Sequence, residues 1–251
     1  MTDFFSSVLS SGANLLWFMV ALPVAFGILV WLFRKYEVLR LVLVVLSSVI
    51  NLLLALSLYQ SEGFYLIFPF ASYGLDMAFH VQKFSSLFLT FAGAAFLLVS
   101  LYSLAYLKGQ DYRGLFMLYM YISLSMINGA LLSDNLGVML FFWEGLLCTL
   151  FGFLLIHNQQ NPKTAVKALV LSGTADLLLM LGIIITANQA GTPNISEIQK
   201  LPLTGVAGIG FVCMMLGAVG KAGCMPFHSW IPAAAEDGPT PFMVAFPGAL
   251  E

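Results

Sequence analysis

Seven long apolar stretches constrain this sequence more than any other feature. Each contains about 20 residues, the length that an α-helix needs to cross a hydrocarbon core of roughly 30 Å. The stretches are continuously apolar rather than alternating, which favours helices over the strands of a transmembrane barrel. They cover residues 13–33, 37–58, 84–107, 113–132, 135–156, 164–187 and 204–225, numbered here as spans 1 to 7, and an eighth span begins after Pro239. The sequence therefore predicts an all-α integral membrane protein with about eight transmembrane helices.

The composition agrees with a membrane protein and argues against two other classes. The chain is 60% hydrophobic and only 9% charged, whereas a soluble domain carries about 25% charged residues. Ten basic residues against 12 acidic ones leave no basic surface for nucleic acid. Cys148, Cys213 and Cys224 lie in apolar stretches without the paired spacing of metal ligands. We interpret them as small hydrophobic side chains rather than as disulfide or cluster ligands.

Two of the connections are long enough to contain structure of their own. Residues 59–83 include "GFYLIFPFASYGLDMAFHV", which is aromatic, alternates in places and turns at Tyr73-Gly74. This pattern predicts a β-hairpin on the membrane surface. In the connection 188–203, Asn194 and Glu197 have the spacing of a capping box, which predicts a short interfacial helix.

The basic residues of the loops predict the orientation of the chain. Seven lie in the loops after spans 1, 3 and 5, namely Arg34, Lys35, Arg40, Lys108, Arg113, Lys163 and Lys167. Only Lys83 and Lys200 lie in the loops after spans 2 and 6. Because basic residues stay on the cytoplasmic side, we expect a multi-pass protein of the cell inner membrane with its amino terminus outside.

Three ionisable residues lie inside the predicted spans: Glu144, Asp176 and Lys221. A charge at the centre of a membrane helix costs roughly 2.5–3.5 kcal/mol, so three of them need a compensating role. Burial penalises both a carboxylate and an ammonium group, whereas an opposite charge nearby stabilises both. A buried acid–amine pair can therefore change its protonation when one charge is added, as a proton relay requires. The alternative is that the charges only hold helices together.

The seventh span carries a second unusual feature around Lys221. Its apolar run from Gly205 to Trp230 is longer than one crossing needs, and Gly217, Gly220, Gly223 and Pro226 surround the lysine. This pattern predicts that the helix breaks near Lys221. Helices that break at membrane depth are typical of ion sites.

Two further residues are candidates for proton transfer. His228 lies seven residues after Lys221, which places it on the same face and about 10 Å further along if the helix continues. It is either a relay through water or a structural histidine. Lys167, near the start of span 6, either feeds protons inward or extends its amine to the lipid headgroups.

Three segments together resemble a known family. The segments are "FFWEGLLCTLFGFLLI", "KALVLSGTADLLLMLG" and "GAVGKAGCMPFHSWIPAAAEDGPTPF", in that order and spacing. They resemble the antiporter-like proton-pumping membrane subunits. That family includes the large membrane subunits of respiratory complex I, those of energy-converting membrane hydrogenases, and the large subunits of multi-subunit cation/proton antiporters. The resemblance covers roughly residues 80–251.

The resemblance implies a half-channel of five helices, spans 4–8 in residues 113–251, preceded by spans 1–3 and the hairpin in residues 1–112. It implies that Glu144 pairs with Lys221, the central proton carrier, and that Asp176 is a secondary acidic site. The basic residue that often precedes this acid is replaced by Ser172 and Gly173.

The resemblance also implies partners and a choice of functions. Members carry a second half-channel after the eighth helix, so we expect a second membrane chain to supply it; a truncated gene product is the alternative. Pro247 replaces a histidine of the family, so the proton path beyond Lys221 is expected to use His228 or Glu251. We expect no cofactor in this chain, and iron–sulfur clusters, nickel–iron or flavin in peripheral redox subunits. The favoured function is proton or sodium translocation in a membrane hydrogenase or NADH:quinone oxidoreductase. The alternatives are a subunit of a cation/proton antiporter and a membrane scaffold that does not pump.

Overall fold

The structure, a computed structural model, is a bundle of membrane-length helices. It describes residues 12–60, 63–68, 77–157 and 162–245. Within these residues, six helices are long and apolar enough to cross a membrane. They are α1 (Gly12–Leu32), α2 (Glu37–Gln60), α3 (Lys83–Tyr106), α4 (Arg113–Leu132), α5 (Leu136–His157) and α6 (Lys163–Ala190). Spans 1 to 6 are thus confirmed, and every predicted end lies within three residues of the observed one.

The remaining elements are short, and they confirm the broken seventh span. They are β1 (Tyr65–Phe68), β2 (Met77–His80), α7 (Ile195–Ile198), α8 (Gly205–Lys221), a 3₁₀ turn (Phe227–Ser229), α9 (Trp230–Asp237) and α10 (Thr240–Ala245). The helix of span 7 breaks because α8 ends at Lys221 and α9 begins only at Trp230, where the apolar run ends, and α10 is the described part of span 8. Pro247 and Glu251 lie outside the described residues. The division of the chain into two domains at residue 112 stays a prediction.

The core is centred on α4, the most enclosed of the six long helices, with 61% of its span buried. Its Phe116 packs edge-on against Phe153 of α5, and its Tyr121 packs against Phe96 of α3. Since α4 contacts α1, α3 and α5, it joins the amino-terminal helices to the part of the bundle that carries the intramembrane charges.

A proline inside α1 is compensated by side chains of α4. Pro23 has no backbone N–H, so the carbonyl of Met19 loses its usual helical donor. Asn128 Nδ2 donates to that carbonyl at 2.7 Å, and Ser125 Oγ donates to the carbonyl of Val20 at 2.6 Å. In a bilayer, where water cannot replace a missing partner, these two bonds fix α1 on α4.

We therefore predict that Asn128→Leu lowers the free energy of unfolding in detergent by about 1–2 kcal/mol, because it leaves a buried carbonyl without a donor. Thr174→Val is the control, since Thr174 Oγ1 bonds only carbonyls of its own helix. The control should shift the unfolding midpoint little. Equal midpoints for Asn128→Leu and the wild type would contradict this role of Asn128.

The predicted β-hairpin is confirmed. β1 and β2 are antiparallel, with Tyr65 opposite His80. The predicted turn at Tyr73-Gly74 lies outside the described residues. Phe79 is 1% exposed and packs against α1, α4 and α5, so the hairpin covers one end of the bundle.

The short helix α7 is confirmed, but its cap differs from the prediction. Asn194 makes no side-chain cap, because its backbone pairs with Asn135 in an isolated bridge. Asp134, buried in the α4–α5 loop, caps α7 instead: the backbone N–H of Ser196 donates to Oδ1 at 3.2 Å, and Ser196 Oγ donates to Oδ2 at 2.9 Å. A carboxylate suits a helix amino terminus better than the neutral amide of Asn194 does.

Candidate ion-translocation site

The site is built around an ion pair that the surrounding protein buries. Lys221 Nζ donates to Asp176 Oδ1 at 2.9 Å and to Oδ2 at 2.7 Å. Lys221 is 3% exposed and Asp176 is 4% exposed. Both contacts are charge-assisted, which is the arrangement that a buried ammonium and a buried carboxylate require to remain charged.

Four glycines, here called the glycine seam, explain why α6 meets α8 so closely. They are Gly182, Gly210, Gly217 and Gly220. A Cβ on Gly217 would lie 2.7 Å from the backbone nitrogen of Leu179, and one on Gly182 would lie 2.6 Å from the carbonyl oxygen of Gly210. No side chain fits at such distances, and small residues are what allow two membrane helices to approach by their backbones.

The glycine seam also sets the position of the ion pair. A Cβ on Gly220 would lie 2.6 Å from Cβ of Ala175. Gly220 precedes Lys221 and Ala175 precedes Asp176, so this contact holds the lysine and the aspartate side by side.

The helix break falls directly after Lys221. The backbone N–H of Gly223 donates to the carbonyl of Gly220 at 3.1 Å, and that of Cys224 donates to the carbonyl of Val219 at 3.1 Å. These two hydrogen bonds form a Schellman motif. The motif needs a residue in the left-handed conformation, which Gly223 supplies with a φ of 68°. The motif satisfies carbonyls at the end of α8 that would otherwise lack donors inside the membrane.

The two helices on either side of the break, α8 and α9, lie against different halves of α6. α8 packs along the second half, ending opposite Ala175. α9 packs against α6 as well, and Thr164, near the start of α6, donates its hydroxyl to Asp237 at the end of α9. Lys221 therefore lies where the broken helix ends and opposite Asp176, which is near the middle of the 28-residue α6.

Glu144 is close to this pair but is not part of it. Its half-buried side chain interacts electrostatically with both Asp176 and Lys221. No hydrogen bond or ion pair joins it to another residue of the described chain. The implied direct pairing of Glu144 with Lys221 is thus replaced in this structure by the pairing of Asp176 with Lys221. The reason is packing, because α5 lies mainly against α4 and α6, whereas the glycine seam brings α6 to α8.

The structure does not place the other candidate residues at the pair. His228 is exposed in the 3₁₀ turn, and the condition for its alignment with Lys221, a continuous helix, is not met because α8 ends at Lys221. Lys167 is exposed on α6, on a different face from the buried Asp176. Glu251 lies outside the described residues. The roles of these three residues in translocation stay predictions.

Ser172, noted in the sequence only as a replacement for a basic residue of the family, is a further polar residue near the pair. Ser172 lies one turn before Asp176, is fully buried, and its Oγ has no hydrogen-bond partner within the part of the chain that the structure describes. Thr164 lies about 12 Å before Ser172 along the axis of α6, and its hydroxyl is hydrogen-bonded to Asp237. All three residues lie on the buried side of α6, and the sequence signal that could have found Ser172 is its spacing of four residues from Asp176.

The comparison with protein families agrees with the fold. Residues 133–250 match the family described as NADH:quinone oxidoreductase/Mrp antiporter, transmembrane. These residues belong to that family. They contain all three intramembrane charges together with α5, α6, α8 and α9. The chain is similar to antiporter-like, multi-pass membrane subunits.

Curated relatives include both antiporter subunits and an NADH-quinone oxidoreductase subunit. The chain is 32% identical over 179 residues to Na(+)/H(+) antiporter subunit A1 of Staphylococcus haemolyticus, covering 67% of this chain and 22% of that protein. It is 32% identical over 153 residues to NADH-quinone oxidoreductase subunit L of Pseudomonas aeruginosa, covering 57% of this chain and 25% of that protein. The chain thus spans a quarter or less of the length of these relatives.

Two solved structures share the fold. The Mrp complex from Dietzia sp. DQ12-45-1b matches with a TM-score of 0.79 and 18% identity, over 94% of this chain and 46% of the matched chain. The membrane-bound sulfane sulfur reductase, an archaeal respiratory membrane complex, matches with a TM-score of 0.77 and 16% identity, over 93% and 51%. Both are multi-subunit membrane complexes, and in each the chain corresponds to about half of one subunit.

Proposed function

We propose that this chain is a half-channel that translocates protons, or sodium ions, across the membrane, with Lys221 as the central carrier. The observation that supports this function best is the buried contact of Lys221 with Asp176 at the break between α8 and α9. An ion pair that served only to hold helices together would not require the helix to end at the lysine. A broken helix gives the amine freedom to move, as ion sites at membrane depth require.

The two carboxylates give Lys221 two alternative partners. A proton that arrives on Asp176 removes the negative charge that holds the ammonium group, and Glu144 is then the nearest remaining anion. Lys221 turns toward Glu144 and passes it a proton, and the neutral amine then returns and takes the proton of Asp176, which restores the ion pair. Glu144 thus modulates the charge of the lysine without pairing with it in the state described here.

A route for protons to Asp176 follows α6. The pair of Asp237 and Thr164 marks one end of this route, and the unpaired hydroxyl of Ser172 lies next to Asp176. The gap of about two helical turns between Thr164 and Ser172 would be bridged by water. His228 and Lys167 are alternative entry residues, because both are exposed.

The module would work inside a larger membrane complex. Other membrane subunits are its expected partners, including residues outside this sequence that supply the second half-channel. In the redox-driven form, peripheral subunits of the hydrogenase or NADH dehydrogenase type would carry the iron–sulfur, nickel–iron or flavin groups. The match to antiporter subunits from Staphylococcus haemolyticus and Rhizobium meliloti favours a second candidate, a cation/proton antiporter without redox subunits. Identifying the subunits that purify with the chain decides between the two.

The function is tested by ion movement in proteoliposomes that contain the complex with this chain. We expect Glu144→Gln to slow proton uptake, followed with a pH-sensitive dye, by at least roughly tenfold, because the amide keeps the shape but cannot accept the proton. The control is Glu197→Gln, which removes an exposed carboxylate from α7 and should leave the rate unchanged. If the wild-type complex moves no ions, the scaffold alternative replaces this proposal.

A further inference from the structure

Three arginines, here called the arginine cluster, converge at the end of the bundle that carries the α1–α2 and α3–α4 loops. They are Arg34, Arg40 and Arg113. Arg40 Nη1 donates to the backbone carbonyl of Arg34 at 3.1 Å, and the side chain of Arg34 lies against Gly114, the residue after Arg113. Arg40 and Arg113 are close enough for their charges to repel each other.

Two residues of the arginine cluster, Arg40 and Arg113, are buried, whereas Arg34 is exposed, and the buried pair has too little negative charge around it. Arg40 is 6% exposed and Arg113 is 7% exposed. The Nε atom of each has no hydrogen-bond partner among the residues that the structure describes. The one carboxylate that the structure pairs with this region is Glu37, whose Oε1 lies 3.8 Å from Arg113 Nη1 and 3.6 Å from Lys108 Nζ. Its side chain is 58% exposed, so it neutralises only part of the buried charge.

An open apolar groove begins at the same place. It has a volume of about 660 Å³ and is lined by Phe33, Tyr36, Glu37, Val38, Leu39 and Val42. Apart from Glu37, these side chains are apolar or aromatic, and they run from the loop along the exposed side of α2. A ligand that filled both regions would need an anionic head beside the arginines and a hydrocarbon tail along α2.

We infer that the arginine cluster and this groove bind an anionic phospholipid, with the phosphate of the headgroup held by Arg40 and Arg113 and one acyl chain lying in the groove. Phosphate oxygens accept the charge-assisted hydrogen bonds that guanidinium groups donate in pairs. The apolar groove selects a lipid over free phosphate, because free phosphate would gain nothing from Val38 and Val42. The inference does not depend on whether the chain translocates ions.

The test is native mass spectrometry of the full chain in detergent, titrated with phosphatidylglycerol, phosphatidylcholine or inorganic phosphate. We expect phosphatidylglycerol to bind roughly tenfold more tightly than phosphatidylcholine, and Arg40→Gln to remove this preference. Lys163→Gln is the matched control, because it removes one exposed positive charge from the same end of the bundle. The control should keep the preference within about twofold.

A second variant keeps the test decisive if Arg40→Gln does not fold. Glu37→Gln removes the carboxylate that competes with the ligand, so it should tighten the binding of phosphatidylglycerol, whereas a purely structural role of Glu37 would leave binding unchanged. Equal affinities for the two lipids would overturn the site. Displacement of phosphatidylglycerol by millimolar inorganic phosphate would overturn the lipid assignment in favour of a free anion.

Discussion

Lys221→Met is expected to abolish ion translocation and to lower the free energy of unfolding by about 3–5 kcal/mol, because it leaves Asp176 buried without its counter-charge. Asp176→Leu should have a similar effect, because it leaves Lys221 buried without its counter-charge. Each single variant alone is ambiguous, since a scaffold that lost its internal ion pair would also fail to assemble.

The double variant Lys221→Met with Asp176→Leu separates the two roles. Replacing both partners of a buried ion pair by apolar residues is often neutral or stabilising, so the double variant should recover the unfolding midpoint and the assembly of the complex. Translocation should remain absent, because the amine that carries the proton from Asp176 to Glu144 is gone. Recovery of both stability and translocation would show that the pair is structural and would remove Lys221 from the mechanism.

Gly217→Ala is expected to lower the free energy of unfolding by about 1–3 kcal/mol, although alanine normally favours a helix over glycine. The added Cβ would meet the backbone of Leu179 at 2.7–2.8 Å, and a backbone atom cannot turn aside as the end of a side chain can. α8 would then have to move away from α6. We expect translocation to fall sharply as well, since this movement lengthens the contact between Lys221 and Asp176.

The matched control is Gly173→Ala, the same substitution on α6. A Cβ on Gly173 would lie 3.8 Å from its nearest neighbour, Cδ2 of Leu147, which is ordinary van der Waals contact. Gly173→Ala should therefore keep or raise the unfolding midpoint in detergent. If Gly217→Ala behaves in the same way as Gly173→Ala, the close approach of α6 and α8 is not what positions the ion pair.

Much of this architecture could be predicted from the sequence because the membrane leaves few alternatives. Backbone groups in lipid must be satisfied within one segment, so a continuous apolar run of about 20 residues has one solution, a helix. The break after Lys221 was predictable for a similar local reason, since Gly223 supplies the left-handed residue that ends α8. The β-hairpin followed from alternation and from its turn residues.

The partner of Lys221 could not be derived from local patterns. The resemblance implied Glu144, and the residue spacing gave no reason to choose between Glu144 and Asp176. The choice depends on which helices approach most closely, and that is a property of tertiary packing. The glycine seam was the available signal, because Gly217 and Gly220 lie three residues apart directly before Lys221. The cap of α7 was unpredictable for the same reason, since Asp134 lies 62 residues from Ser196.

The end of α8 has an electrostatic consequence for its last residue. Aligned peptide dipoles give the carboxyl end of a helix the equivalent of about half a negative charge, and Lys221 occupies the last turn. This charge belongs to the backbone and cannot be neutralised by a proton. It therefore attracts the side chain of Lys221 whenever the amine is charged, whether or not Asp176 is protonated. The end of α8 thus holds the charged side chain nearby while its partner changes from Asp176 to Glu144, before its proton is passed on.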